Sequence, residues 1–168
     1  MRNRVMAHWH LRLFTNRDQV GGVTMGSRHD RVTETVVTHD ITIQCIDTSG
    51  RTHDLDTVFS YSKTDPFAVT VTFLTPEGDL PWTFSRDLLL RGLTAPIGDG
   101  DVHVCPSIND HGRAVVIIEL SSPDGHLVTE ARTDAVFTFV QRSLALVPEG
   151  EESQHLSMDA MIEQLLAV

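Results

Sequence analysis

Lysine is nearly missing from this chain: Lys63 is the only one among 168 residues, and arginine supplies the other 12 basic side chains. Tracking a nucleic-acid backbone needs clustered Lys and Arg, because neutralising phosphate charge provides most of the non-specific affinity. The basic charge is also badly placed for that task. Residues 1–28 hold five arginines against Asp18 alone, a net +4, so the remainder carries −14 of the total −10. An acidic body disfavours a nucleic-acid partner. Cysteine is as scarce, with Cys45 and Cys105 in apolar alternating runs and no C-x-x-C pair, which points away from a disulfide framework and towards a reducing, cytoplasmic compartment. No secretory leader is recognised. No apolar run approaches the roughly 18 residues that a membrane-spanning helix needs. Also missing are a G-x-S-x-G elbow, a phosphate-binding loop, an H-E-x-x-H pair and any repeat at fixed period. No catalytic constellation, cofactor or metal is therefore expected.

What the chain does have is alternation. Residues 1–30 show no sustained period and are expected to form a basic tail, either disordered or the product of a misassigned start, with Met6 and Met25 as other starts. Residues 31–168 are expected to form one domain. Val37, Ile41, Ile43 and Cys45 fall on one side of a period-two pattern, and Thr38, Asp40, Thr42 and Gln44 on the other. Leu55, Thr57, Phe59 and Tyr61 continue it in a second strand, and Phe67, Val69, Val71 and Phe73 in a third. Pro76-Glu77-Gly78-Asp79 turns the chain into a fourth strand over residues 80–84. After a short helix, strands are expected over residues 101–106, 114–120 and 127–132. The middle one is apolar on both sides, as a central strand would be.

Residues 82–101 join the two groups of strands. Ser85 is placed to cap a helix and Asp87 lies in its first turn. Gly92 stands where a helix end favours positive φ, and Pro96 prevents resumption. A second helix follows, capped by Thr133 or Asp134, with Val136, Phe139, Val140 and Leu144 at helical spacing until Pro148. Glu149, Glu151 and Glu152 read as a solvated acidic link. Beyond it, Met158, Met161, Ile162, Leu165 and Leu166 form an apolar stripe on a last short helix, with Leu156, Ser157 and Met161 fitting a hydrophobic staple.

Several groupings invite chemistry, and each has a plainer structural reading. His8 and His10 could chelate metal but have no third ligand nearby. His103 and Cys105 share one strand face near His111, yet side chains in such positions ordinarily serve as core and surface fillers. Asp54 and Asp56 beside His53 read as a solvated strand edge, and Gly98-Asp99-Gly100-Asp101 as a tight entry to a strand. Two candidates remain for partner binding: the pair Arg86 and Asp87, and the terminal stripe Met158, Met161, Ile162, Leu165 and Leu166. Arg86 could anchor a partner or bridge a neighbouring carboxylate. The stripe could meet a partner or dock on its own sheet.

Residues from Asp65 onward resemble the SsgA-like sporulation and cell-division proteins of actinobacteria. The resemblance rests on Asp65-Pro66-Phe67-Ala68-Val69, on Trp82, Phe84, Arg86-Asp87-Leu88-Leu89, Gly92-Leu93, Pro96, Gly98 and Gly100-Asp101-Val102 with Pro106, and on Leu120-Ser121-Ser122-Pro123 with Gly125, Val147-Pro148 and Gly150-Glu151. Ser85 and Cys105 depart from the family's Ala and Trp. The resemblance implies an α+β, Whirly-like fold of two packed antiparallel β-sheets with a short central helix and C-terminal helices, assembled as a homotrimer. It also implies a non-enzymatic adaptor at division septa whose partner, for an SsgB-like member, is the tubulin-like FtsZ or another division protein. Fold analogy supplies the alternative, a single-stranded nucleic-acid-binding protein.

Overall fold

A computed structural model describes residues 30–46, 51–123 and 125–156. Among the described residues, nine strands and two α-helices follow one another in the order β1 (Arg31–Val32), β2 (Val36–Ile46), β3 (Thr52–Ser62), β4 (Asp65–Thr75), β5 (Gly78–Ser85), α1 (Arg86–Gly92), β6 (Ile97–Asp99), β7 (Val102–Ile108), β8 (Ala114–Ser122), β9 (Gly125–Arg132) and α2 (Thr133–Leu146). A 3-10 turn, Glu152–His155, comes last among the described residues.

Alternation along the first four long strands becomes layers across them. Tyr61 pairs with both Val37 and Val69, and Val69 in turn with Phe84; one layer along, Phe59 pairs with Val71, and Val71 with Trp82. The second group does the same: Val102 pairs with Leu120, and Leu120 with Leu127. Central β8 has both faces covered near its start, with Val115 and Val116 both buried, as its two-sided apolar sequence requires. Each group is an antiparallel meander, whose hairpin connections need few residues.

The expectation of two packed, Whirly-like sheets does not hold. The strands form one curled antiparallel sheet in the order β5-β4-β3-β2-β9-β8-β7-β6, with β1 added to the start of β2. A three-residue seam joins the meanders: Gln44, Cys45 and Ile46 of β2 pair with Glu130, Thr129 and Val128 of β9. Period-two alternation specifies one buried face and is the same whether a second sheet or helices cover that face. Here α1 and α2 help to cover it. The first of the expected C-terminal helices is α2; the second, with its staple, lies outside the described residues. With the Whirly analogy goes the fold argument for single-strand nucleic-acid binding.

Helix α2 places Val136, Phe139, Val140 and Ser143 against the sheet. Phe139 and Phe59 are fully buried and meet edge to face, ring centroids 5.6 Å apart. Neither Thr133 nor Asp134 is the N-cap. Arg132 of β9 occupies that position without a side-chain capping bond, because strand runs directly into helix. Its guanidinium pairs with Asp134, whose carboxylate accepts from the Ala135 amide at 2.8 Å. The two buried threonine hydroxyls are satisfied by neighbouring strands: Thr57 donates to the Ile41 carbonyl at 2.6 Å and Thr129 to that of Ile118 at 2.9 Å.

Helix α1 starts as its sequence dictates, with the Ser85 hydroxyl accepting from the Asp87 amide at 3.3 Å. Its glycine has a different purpose from the one expected. Gly92 is the last residue of the helix, without positive φ, and a Cβ there would overlap the Val104 side chain on β7. It sets the distance of closest approach between helix and sheet. Gly92→Ala is therefore expected to destabilise the protein by about 1–3 kcal/mol through overpacking, although alanine is the better helix former by about 1 kcal/mol. Urea unfolding of this variant beside Gly92→Ala/Val104→Ala, in which the space returns, checks the sign. By contrast Gly100, at φ +56, makes the β6–β7 turn, and the Gly98-Asp99-Gly100-Asp101 motif is a hairpin.

Candidate functional site

The residue that organises the most structure outside the hydrophobic core is charged. Arg86, the first residue of α1, is 3% exposed. One terminal nitrogen donates to the Ser143 carbonyl at 3.2 Å and the Val147 carbonyl at 2.7 Å. The other donates to the half-buried carboxylate of Glu152. The guanidinium carbon lies 4.8 Å from the centroid of the Tyr61 ring, within cation–π range. Tyr61 is itself held, its hydroxyl donating to the Pro66 carbonyl at 3.0 Å.

This arrangement solves a problem at the end of α2. A helix leaves its last carbonyls without intrahelical partners and gathers partial negative charge there. The last turn of α2 carries no basic residue. Arg86 supplies that cation from 57 and 61 residues away, so one side chain ties α1, the end of α2, the 3-10 turn and β3 together. Arginine suits the position because its fork of donors is planar and permanently charged.

Glu152 is accordingly not part of a solvated acidic link. Glu149 and Glu151 are exposed, but Glu152 turns in. Its carboxyl is held below the ordinary value of 4.5, chiefly by its own backbone N–H and then by Arg86, against the opposing effect of burial. Burial pushes the Tyr61 hydroxyl up, and the Arg86 charge offsets part of that rise. A carboxylate with a lowered folded pKa stabilises the fold fully above its unfolded value, and loses that contribution as pH falls through the folded one. The difference in melting temperature between the native chain and Glu152→Gln is thus expected to be constant from about pH 7 to pH 5, and to shrink below about pH 4.5. Thermal melts across that range check it.

Asp87, the next residue of α1, is half-buried and accepts from Arg91 at 2.8 Å in an i,i+4 pair. Arg86 and Asp87 are neighbours in sequence only. Met158, Met161, Ile162, Leu165 and Leu166 lie outside the described residues, as do His8 and His10. Residues of the other suspected clusters serve the sheet. Gly98 leaves room for the His103 ring across the β6–β7 pair, while Asp54 and Asp56 accept from Gln44 at 3.2 Å and Thr42 at 2.8 Å. Cys45 is buried and its thiol pushed up to about 12, so it is protonated at neutral pH. Among the described residues, no three His, Cys, Asp or Glu side chains are grouped to hold a metal ion, and no helix is long and apolar enough to cross a membrane.

One polar cluster has no local signature in the sequence. Asp30 accepts from Arg142 of α2 at 3.1 Å, and its other oxygen lies 2.7 Å from Nδ1 of His39. These residues come from three places, and no local pattern links them. Burial raises the Asp30 pKa, but the Arg142 and His39 bonds outweigh it and leave the carboxyl lowered. The cluster fastens the start of the described chain to α2.

A curled antiparallel sheet with two helices, organised by a buried arginine at the end of the second, defines a β-rich scaffold class rather than a layered α/β protein. Residues 55–152 match the family described as Streptomyces sporulation and cell division protein, SsgA, and the chain belongs to that family. Within it the chain is SsgB-like. It is 40% identical over 135 residues to the sporulation-specific cell division protein SsgB of Kineococcus radiotolerans, covering 80% of this chain and 82% of the relative. With the SsgB of Streptomyces coelicolor it shares 45% identity over 108 residues, 64% and 78% of the two chains. Two solved structures are similar. One, from work on SsgB mutations that correlate with longitudinal cell division during sporulation of Streptomyces coelicolor, has a TM-score of 0.69 and 40% identity, covering 73% of this chain and 96% of that one. The other, an SsgA-like sporulation-specific cell division protein of Thermobifida fusca, has a TM-score of 0.70 and 31% identity, covering 80% and 98%. Its relatives give the protein a cell-division role in sporulation.

Proposed function

We propose that this protein is a non-enzymatic adaptor in sporulation-type division, a cytoplasmic homo-oligomer, in trimeric form, that recruits FtsZ or another division protein to the septum. The observation that carries the reading is 40% identity over 135 residues to a protein named for sporulation-specific cell division. Three features support the absence of chemistry and the choice of a protein partner. Arg86, the most deeply buried charge among the described residues, gives its terminal donors to two carbonyls and Glu152. The buried thiol of Cys45 is protonated at neutral pH. The acidic body disfavours a phosphate backbone.

Candidate contact residues are the half-buried Asp87 and the terminal stripe Met158, Met161, Ile162, Leu165 and Leu166, with Arg86 acting from inside as a positioning residue. Co-sedimentation with FtsZ polymers is the direct test. Enrichment in the pellet is expected at about micromolar concentration, the range of a transient regulatory contact; none there overturns the FtsZ reading. Light scattering at the same concentration reads the assembly state, and a monomer overturns the trimer.

A further inference from the structure

The two halves of the Arg86–Glu152 pair are anchored very differently. Arg86 is fixed without Glu152: one nitrogen is held by two backbone carbonyls at 3.2 and 2.7 Å, and the guanidinium rests on a ring that is 1% exposed and tethered through its own hydroxyl. Glu152 rides on one turn of 3-10 helix that has no buried residue and no side-chain cap. Exposed Pro148 and Glu149 lead into that turn, followed by Gly150 at φ +85 and exposed Glu151. Lifting it removes little apolar surface from contact. What lifting does cost is the desolvated guanidinium nitrogen left without an acceptor, an expensive state for a buried charge. An incoming carboxylate removes that cost with a charge-assisted bond of the same kind.

We propose that Arg86 and Tyr61 form a carboxylate-binding site that Glu152 fills from within the chain, and that an acidic segment of a partner polypeptide takes the site by displacing the 3-10 turn. Phe67 adds to this setting. It follows directly on Pro66, whose carbonyl tethers Tyr61, and it is 48% exposed in β4, the strand against which the turn lies. An incoming segment thus has an exposed apolar side chain to cover on the strand against which the turn lies. The inference deepens the adaptor reading by naming the chemistry of the partner's contact, and it rests on that reading only for the identity of the partner.

A labelled peptide of residues 148–156, carrying Glu152, is the probe, and full-length chains are the receptors. Fluorescence anisotropy is expected to show saturable binding to the Glu152→Gln chain. Binding to the native chain is expected to be at least about tenfold weaker, because its own Glu152 competes at an effective concentration of about millimolar. A peptide carrying Glu152→Gln is expected to lose at least about tenfold in affinity. Equal binding to both chains, or indifference to the carboxylate in the peptide, overturns the proposal. Hydrogen exchange on the native chain keeps the proposal testable if the variant fails to fold. The amides of residues 152–156 should open at least about a hundredfold more often than those of α2, and equal opening overturns the displacement step. Neither measurement uses FtsZ, so a failed co-sedimentation and a failed carboxylate site remain distinguishable.

Discussion

Replacing Arg86 with alanine is expected to cost about 3–5 kcal/mol, the range found when one partner of a buried ion pair is removed. Several losses coincide in that substitution. The Val147 carbonyl loses its 2.7 Å donor and the Ser143 carbonyl one of its own. The half-buried Glu152 carboxylate keeps its charge without its cation, and the Tyr61 ring loses the group stacked on it. The unpaired Val147 carbonyl alone costs about 1–3 kcal/mol if water cannot reach it. In a domain of this size the total corresponds to a fall in melting temperature of roughly 10–15 °C. Circular-dichroism melts of Arg86→Ala and Arg86→Lys at neutral pH provide the measurement. Lysine should recover less than half of the loss, since one ammonium cannot span two carbonyls and a carboxylate in the plane of a fork. Adding Glu152→Gln to Arg86→Ala should cost less than the sum of the single effects, because both act on one pair. A loss below about 1 kcal/mol for Arg86→Ala, as for a surface pair, would refute the structural role given to this residue.

Phe139→Ala is the other large effect, expected at about 3–5 kcal/mol. Phe139 is fully buried and meets Phe59, equally buried on β3, edge to face with ring planes inclined at 72°. Truncation removes the ring's apolar burial, opens a cavity and forfeits an aromatic pair worth about 0.5–1.5 kcal/mol beyond its area. The sheet cannot collapse easily into that space, because Phe59 is held in register with Val71 of β4. Phe139→Leu fills most of the volume and should cost clearly less. Urea unfolding of both variants measures the difference, and equal losses would show that the cavity is not the cause. The two substitutions also separate two ways of holding α2: Phe139 acts through its middle and Arg86 through its end.

Much of this protein is written in local pattern. The odd-numbered residues of β2, from Val37 to Cys45, and those of β3, from Leu55 to Tyr61, announce a buried face because side chains on a strand alternate. The short helix after Ser85 is announced by a capping hydroxyl and a carboxylate in the first turn. Family membership is legible too, in residues such as Asp65-Pro66-Phe67 and Arg86-Asp87-Leu88-Leu89.

Other features depend on residues far apart in the chain. Gly92 looks like a helix stop but is a spacer, because its reason is Val104 on a strand formed later in the chain. Glu152 looks like one more solvated acid among Glu149 and Glu151, and only the approach of α1 to the end of α2 gives it a partner 66 residues away. Whether two meanders stack as separate sheets or run on as one is decided by a three-residue seam between β2 and β9, and the alternation of either strand is compatible with both outcomes. The sequence by itself therefore determined the seven longer strands, their buried faces, the first helix and the family, since each rests on spacing within a few residues or on a motif. Only the tertiary structure decided the single curled sheet, the spacing at Gly92 and the burial of Arg86 with Glu152, because each is a contact between segments whose separation no local period encodes.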